Sequence, residues 1–217
     1  PDYWCGPGPA AAKELKRGSQ PQGAFFEAEP QGLRAGIQVR QLTKTFGRSH
    51  RSAVDNLTFN MFEGHITVLL GHNGAGKTTT MSMLTGLYPP SKGTALVNGF
   101  DIRTDIAHVR ASLGFCPQHD VLFDDLTAAE HLQFFCGLKG MASADIPAEV
   151  ERMVKAVQLT QERDYRAGVL SGGTKRKLSV AIAMCAGSKV VILDEPTSGM
   201  DPTVRRHIWD LLEAERG

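Results

Sequence analysis

Apolar and polar residues alternate over Ile37-Gln-Val-Arg-Gln-Leu42 and again over Leu57-Thr-Phe-Asn-Met61. That is the period of a strand with one buried and one wet face. With Thr94-Ala-Leu-Val97 they predict a small antiparallel sheet. Two other runs are almost unbroken, Ile66-Thr-Val-Leu-Leu70 and Val190-Val-Ile-Leu193, as in strands of a parallel sheet covered on both faces. The first leads through a glycine-rich turn into a helical stretch from Lys77 to Leu87, and the second ends on two acids. Between them the period is helical: Val150, Met153, Val154 and Val157 share one face, and Thr127-Ala-Ala-Glu130 forms a capping box. A last helix begins near Asp201-Pro202, with Val204, Ile208, Leu211 and Leu212 as its apolar stripe. Strands alternating with helices predict an α/β core. Residues 1 to about 35 are rich in Gly, Pro, Ala and Gln without a sustained period, and read as a linker or leader. The folded domain is then 36–217, with a helical subdomain over about 120–170.

Composition narrows the function classes. A net charge of +1 gives no field that would gather nucleic acid or an anionic membrane. The basic run Lys175-Arg176-Lys177 reads as a solvated helix face. No apolar stretch reaches the roughly 18 residues that a membrane-spanning helix needs, and Pro1 to Ala12 lacks the layout of a secretory signal. The four cysteines, Cys5, Cys116, Cys136 and Cys185, show no C-x-x-C spacing, which argues against zinc and for a reducing compartment.

The chemistry sits at the ends of the two apolar runs. Gly71-His72-Asn73-Gly74-Ala75-Gly76-Lys77-Thr78 matches G-x-x-x-x-G-K-[ST] between a strand and a helix. Glycines let successive N–H groups turn inward onto phosphate oxygens, and the helix adds its positive end. Lys77 brings a point charge near the β- and γ-phosphates of a bound polyphosphate, and the Thr78 hydroxyl can ligate Mg2+. The nucleotide-binding set runs on to Thr79. Val190-Val-Ile-Leu-Asp194-Glu195 places Asp194 to hold the magnesium and Glu195 to polarise an attacking water. Leu170-Ser171-Gly172-Gly173-Thr174 opens a further helix expected to reach Ala186, a second anion-binding nest at a helix start.

Taken in order, these motifs resemble those of the ABC ATPase family. The resemblance implies a RecA-like P-loop NTPase core with an antiparallel β subdomain and a helical subdomain. It also implies roles that the residues alone do not give. Phe46 matches the aromatic that stacks on adenine. Gln118, in Phe115-Cys-Pro-Gln118-His, matches a glutamine that touches magnesium and water. Ser198-Gly-Met-Asp201 matches a loop that crosses to a partner domain. Catalysis then falls to Glu195, Gln118 and Lys77, and metal binding to Thr78, Gln118 and Asp194. Ser171, Gly172 and Gly173 would face the ATP held by a second such domain of the same polypeptide.

Within the family, Gly71-His72-Asn73, Cys116-Pro-Gln-His-Asp-Val-Leu-Phe123 and Lys175-Arg-Lys-Leu-Ser-Val180 resemble subfamily A, the large lipid exporters. Tyr3-Trp-Cys-Gly6 and Phe26-Glu-Ala-Glu-Pro30 resemble the approach to the first of its two nucleotide-binding domains. The partners implied are a second nucleotide-binding domain, membrane domains and, through them, lipid, at the cytosolic face of a membrane. Nucleic acid is not among them. The alternative is a soluble ABC ATPase acting on DNA or the ribosome. Two departures stand out: Thr174 replaces a common Gln, and none of the seven histidines has the setting of the family's switch histidine. The expectation is that the chain stops before that histidine and turns over ATP weakly by itself.

Overall fold

The computed structural model describes residues 30–47 and 52–216. The leader motifs therefore lie, up to residue 29, outside the described residues. Strands β1 (Ala35–Thr45) and β2 (Ser52–Phe62) form a long hairpin, and β3 (Lys92–Val97) with the short β4 (Phe100–Asp101) completes an antiparallel sheet of order β2-β1-β3-β4. In β1 the alternation buries Ile37 and Val39, then skips to Leu42. The skip is a bulge: Gln41 takes φ 49° and the register to β2 shifts between Val39 and Leu42, so the inward face changes phase by one residue. Asn98 and Gly99, at φ 49° and 83°, join β3 to β4 through a two-residue turn that requires positive φ at both positions.

The second sheet is parallel and pairs β5 (Leu113–Cys116) with β6 (Val190–Leu193), from Leu113 opposite Val190 to Cys116 opposite Leu193. Around the sheets lie α1 (Lys77–Leu84), α2 (Ile106–Ser112), α3 (Ala128–Leu138), α4 (Ile146–Ala156), α5 (Gly172–Met184) and α6 (Pro202–Ala214). The stretch 120–170 holds α3, α4 and a 3-10 turn, and α3 starts on the expected box: Thr127 and Glu130 cap each other's backbone N–H. Asp201 accepts from the N–H groups of Thr203 and Val204, and Pro202 opens α6.

One expectation fails. The apolar run at 66–70 is not a strand, and Ile66, Val68 and Leu70 are 42%, 60% and 85% exposed. Its composition suits a covered strand, but a strand exists only where a neighbour takes up its N–H and C=O groups. Among the described residues β6 pairs with β5 alone. The helices after the glycine loop and after Ser171 are also shorter than expected, ending at Leu84 and Met184. Gly86, at φ 72°, follows the end of the first.

Two apolar cores result. One gathers the sheet β1-β3 with Met83, Leu84, Val109, Leu113 and Ile192. The other gathers α3, α4, α5 and α6 around Leu132, Met153, Leu178 and Ile208, and includes Cys116. The parallel pair β5-β6 thus turns one face to each: Leu113, Phe115, Val190 and Ile192 toward the first, Cys116 and Leu193 toward the second.

Candidate functional site

The glycine loop is built for a backbone that no other residue adopts cheaply. Gly74 and Gly76 have φ of 81° and 89°. A Cβ on Gly76 would also strike the Ala53 carbonyl and lie 3.0 Å from Val54 Cγ2. This close approach ties the loop to the start of β2. Phe46 lies one residue past Thr45, which pairs with Ser52, so the hairpin end that carries the aromatic borders the loop. Its ring is half exposed, edge-on to Tyr88 at 5.7 Å, with Lys44 Nζ 5.1 Å from its centroid.

Within the loop, Lys77 Nζ donates to the carbonyls of Gly71 at 2.6 Å and His72 at 3.1 Å, and Ala75 N–H donates to His72 O at 3.1 Å. The ammonium therefore lies across the loop that carries it. Thr78 is exposed in the first turn of α1, with Thr79 beside it, and Thr80 is buried with its hydroxyl on the Gly76 carbonyl at 2.9 Å.

Asp194 and Glu195 leave the end of β6, where Asp194 N–H donates to Cys116 O at 2.9 Å. Asp194 is 4% exposed. Gln118, two residues past β5, points its Nε2 at Glu195 Oε2, 3.5 Å away. The parallel register of β5 and β6 brings these two positions together. Glu195 sits at φ 49°, a left-handed conformation that costs a non-glycine residue roughly 1 kcal/mol.

The residue that holds this turn is one that the basic run concealed. Arg176 is not on a solvated face: it is 3% exposed. Its Nε donates to Pro196 O (3.0 Å), and its Nη2 to Asp194 O (2.7 Å) and Glu195 O (2.8 Å). Its Nη1 donates to Pro117 O (2.5 Å) and Asp120 Oδ1 (3.3 Å). All five N–H groups of the guanidinium are thereby used. Ser179 Oγ adds a bond to the same Asp120 oxygen at 2.8 Å. Helical phase was the available signal, since 176, 179, 180 and 183 recur at the spacing of one face and all four are buried. Cys116, fully buried nearby, has its thiol pushed up to about 11 by burial, against the opposing effect of the Arg176 charge.

Ser171 caps α5, accepting from Thr174 N–H at 3.2 Å and sharing a hydrogen bond with Thr174 Oγ1 at 2.7 Å. A Cβ on Gly172 or Gly173 would meet nothing within 4 Å, so packing within this chain does not demand glycine there. A cleft beside them is lined by Gln118, Asp120, Gly172, Gly173, Arg176 and Ser198. His207 lies in α6 with Nε2 3.0 Å from Ala156 O, where it joins α6 to α4.

Comparison with known proteins bears on the family and the fold. Residues 54–198 match the family model described as "ABC transporter". The chain is 55% identical over its whole length to phospholipid-transporting ATPase ABCA3 of Mus musculus, of which it covers 13%. It is 50% identical over 97% of its length to ATP-binding cassette sub-family A member 7 of Rattus norvegicus, of which it covers 10%. The chain thus spans about an eighth of its relative ABCA3. Among solved structures, an ATP-binding subunit of an ABC transporter superposes with a TM-score of 0.75 at 25% identity, covering 83% of this chain and 74% of that one. A dimeric ATP-binding cassette in a post-hydrolysis state with ADP and Pi has the same TM-score at 22% identity, covering 83% and 82%. The α/β fold is that of ABC ATPase cassettes, and this chain belongs to the ABC transporter family.

Proposed function

We propose that the chain is the ATP-binding and hydrolysing domain of a subfamily A transporter that moves phospholipid. The observation that carries the catalytic part is the 3.5 Å approach of Gln118 Nε2 to Glu195 Oε2 at the end of the parallel pair, with the glycine loop held against β2. The subfamily rests on relatives of 50–55% identity that are named as phospholipid-transporting ATPases or sub-family A members.

In this reading Gly71 to Thr79 wrap the polyphosphate with backbone N–H groups, and Lys77 leaves its two loop carbonyls for the β/γ-phosphates. Phe46 offers its half-exposed ring to adenine. Glu195 accepts a proton from the attacking water while Gln118 orients that water. Asp194, Gln118 and Thr78 would hold magnesium. They supply hard oxygen ligands with a single carboxylate, the donor set of a site completed by phosphate and water. Bound there, the ion would neutralise charge developing on the phosphates.

Gly172 and Gly173, open on their outer side, would meet the nucleotide of a second nucleotide-binding domain, so that two domains clasp ATP between them. Dimeric cassettes among the structural neighbours support this arrangement. Among the described residues no helix is long and apolar enough to cross a membrane, so lipid movement would belong to membrane segments outside this chain, with the present domain at their cytosolic face.

The test is Glu195→Gln in the intact protein, reconstituted into phospholipid vesicles. Turnover is expected to fall roughly a hundredfold or more with ATP binding retained, and labelled phospholipid to stop moving. Normal hydrolysis would take the base role from Glu195. ATP turnover without lipid movement in the wild type would take phospholipid from the reading.

A further inference from the structure

We propose that Arg176 is a positioning residue for hydrolysis: through its guanidinium, the helix that begins at Ser171 fixes the placement of Glu195 and Gln118. This rests on the reading of Glu195 as base. Three consecutive carbonyls, of Asp194, Glu195 and Pro196, all turn toward one buried group. Such convergence needs the chain to reverse tightly, and Glu195 does so in the left-handed region. The fourth carbonyl, of Pro117, immediately precedes Gln118. One rigid planar fork thus grips the backbone at Glu195 and at the peptide just before Gln118, the two residues that meet at 3.5 Å.

Arg176 stands one turn after Gly172 and Gly173 on α5. A tilt of α5, driven by whatever occupies the open side of those glycines, shifts the fork and with it the distance between Glu195 and Gln118. The guanidinium touches no reacting atom in this scheme. Its effect belongs in the rate of the chemical step more than in nucleotide affinity, because none of its hydrogen bonds goes to Lys77 or the glycine loop.

Lysine separates the role from the charge. It keeps a cation beside Asp120, but its three donors cannot serve five acceptors and it lacks the planar fork. In the intact protein, Arg176→Lys is expected to lower kcat about 10- to 100-fold, the equivalent of one or two lost hydrogen bonds. KM for ATP is expected to stay within about twofold. In a Glu195→Gln background the same substitution is expected to change the residual rate less than about twofold, because it acts through Glu195. Amide exchange is expected to rise at 118 and 119 and at 194, 195, 197 and 198, and to stay unchanged over the glycine loop. Wild-type kcat in R176K, an equal loss of kcat and ATP affinity, or faster exchange throughout the chain would each overturn the proposal. Normal turnover by E195Q alone would instead remove the reading of the site, whatever Arg176 does.

Discussion

Lys77 reaches back over its own loop, held by the carbonyls of Gly71 and His72, and contributes nothing to either apolar core. Removing its charge therefore touches binding and spares folding. Lys77→Ala is expected to lose most of the thermal stabilisation that ATP and magnesium give, while the nucleotide-free melting point changes little, within about 0.5 kcal/mol of stability. A thermal-shift titration of the two forms checks this, and unchanged stabilisation would remove Lys77 from the phosphate site. The loop was legible because its glycines are demanded by backbone geometry at fixed spacing. Arg176 was not, because its acceptors are main-chain carbonyls brought from two other segments. No side-chain motif marks a carbonyl, and a basic tripeptide looks like surface until its helical phase is followed.

Elements are tied by a few charged side chains at their ends. Glu149 on α4 accepts from Arg152 Nε at 2.8 Å and Nη2 at 3.0 Å, and from Ala186 N–H at 2.9 Å. Arg152 also meets Glu215 beyond α6 at 2.6 Å, so α4, α6 and the turn after α5 share one small network. Hydrogen bonds from Arg152, then that from Ala186, hold the Glu149 carboxyl below its usual value of 4.5. A depressed carboxyl stabilises the fold above the unfolded value, and that share disappears as pH falls through the lower folded value. Melting temperatures from pH 6 downward are expected to drop more steeply below about 4.5 in the wild type than in Glu149→Gln. Parallel curves would mean that the pair contributes nothing. The capping box of α3 could be seen in advance because its partners are three residues apart. The run at 66–70 misled because burial of a strand depends on a neighbour that sequence spacing does not name.

At the scale of the molecule, the two cores meet along β5 and β6, and the glycine loop and the helix start at Ser171 attach to different sides of that seam. Loop and hairpin belong with the sheet core; Ser171, Gly172 and Gly173 belong with the helical one. Replacing Gly172 by Ala fits the open space around it, so this chain alone is expected to bind ATP as before, within about twofold. Turnover of the intact protein is expected to drop roughly tenfold or more. Nucleotide titration of the chain, set beside the turnover rate of the intact protein, separates the two effects. Equal losses would place Gly172 at the chain's own nucleotide. The antiparallel subdomain followed from hydrophobic period, but of the parallel pair only Val190–Leu193 did; its neighbour Leu113–Cys116 is too short to show a period, and the seam arises from the register of these two strands far apart in sequence.

Cys116 ends β5 inside that seam, fully buried, with its thiol pushed up to about 11. Alkylating reagents attack the thiolate and need access to sulfur, and the closed fold denies both. Each modification event therefore records a moment when β5 and α5 have parted. The sulfur acts as a stopwatch for breathing motions beside the Glu195 turn, read by mass spectrometry without any label built into the protein.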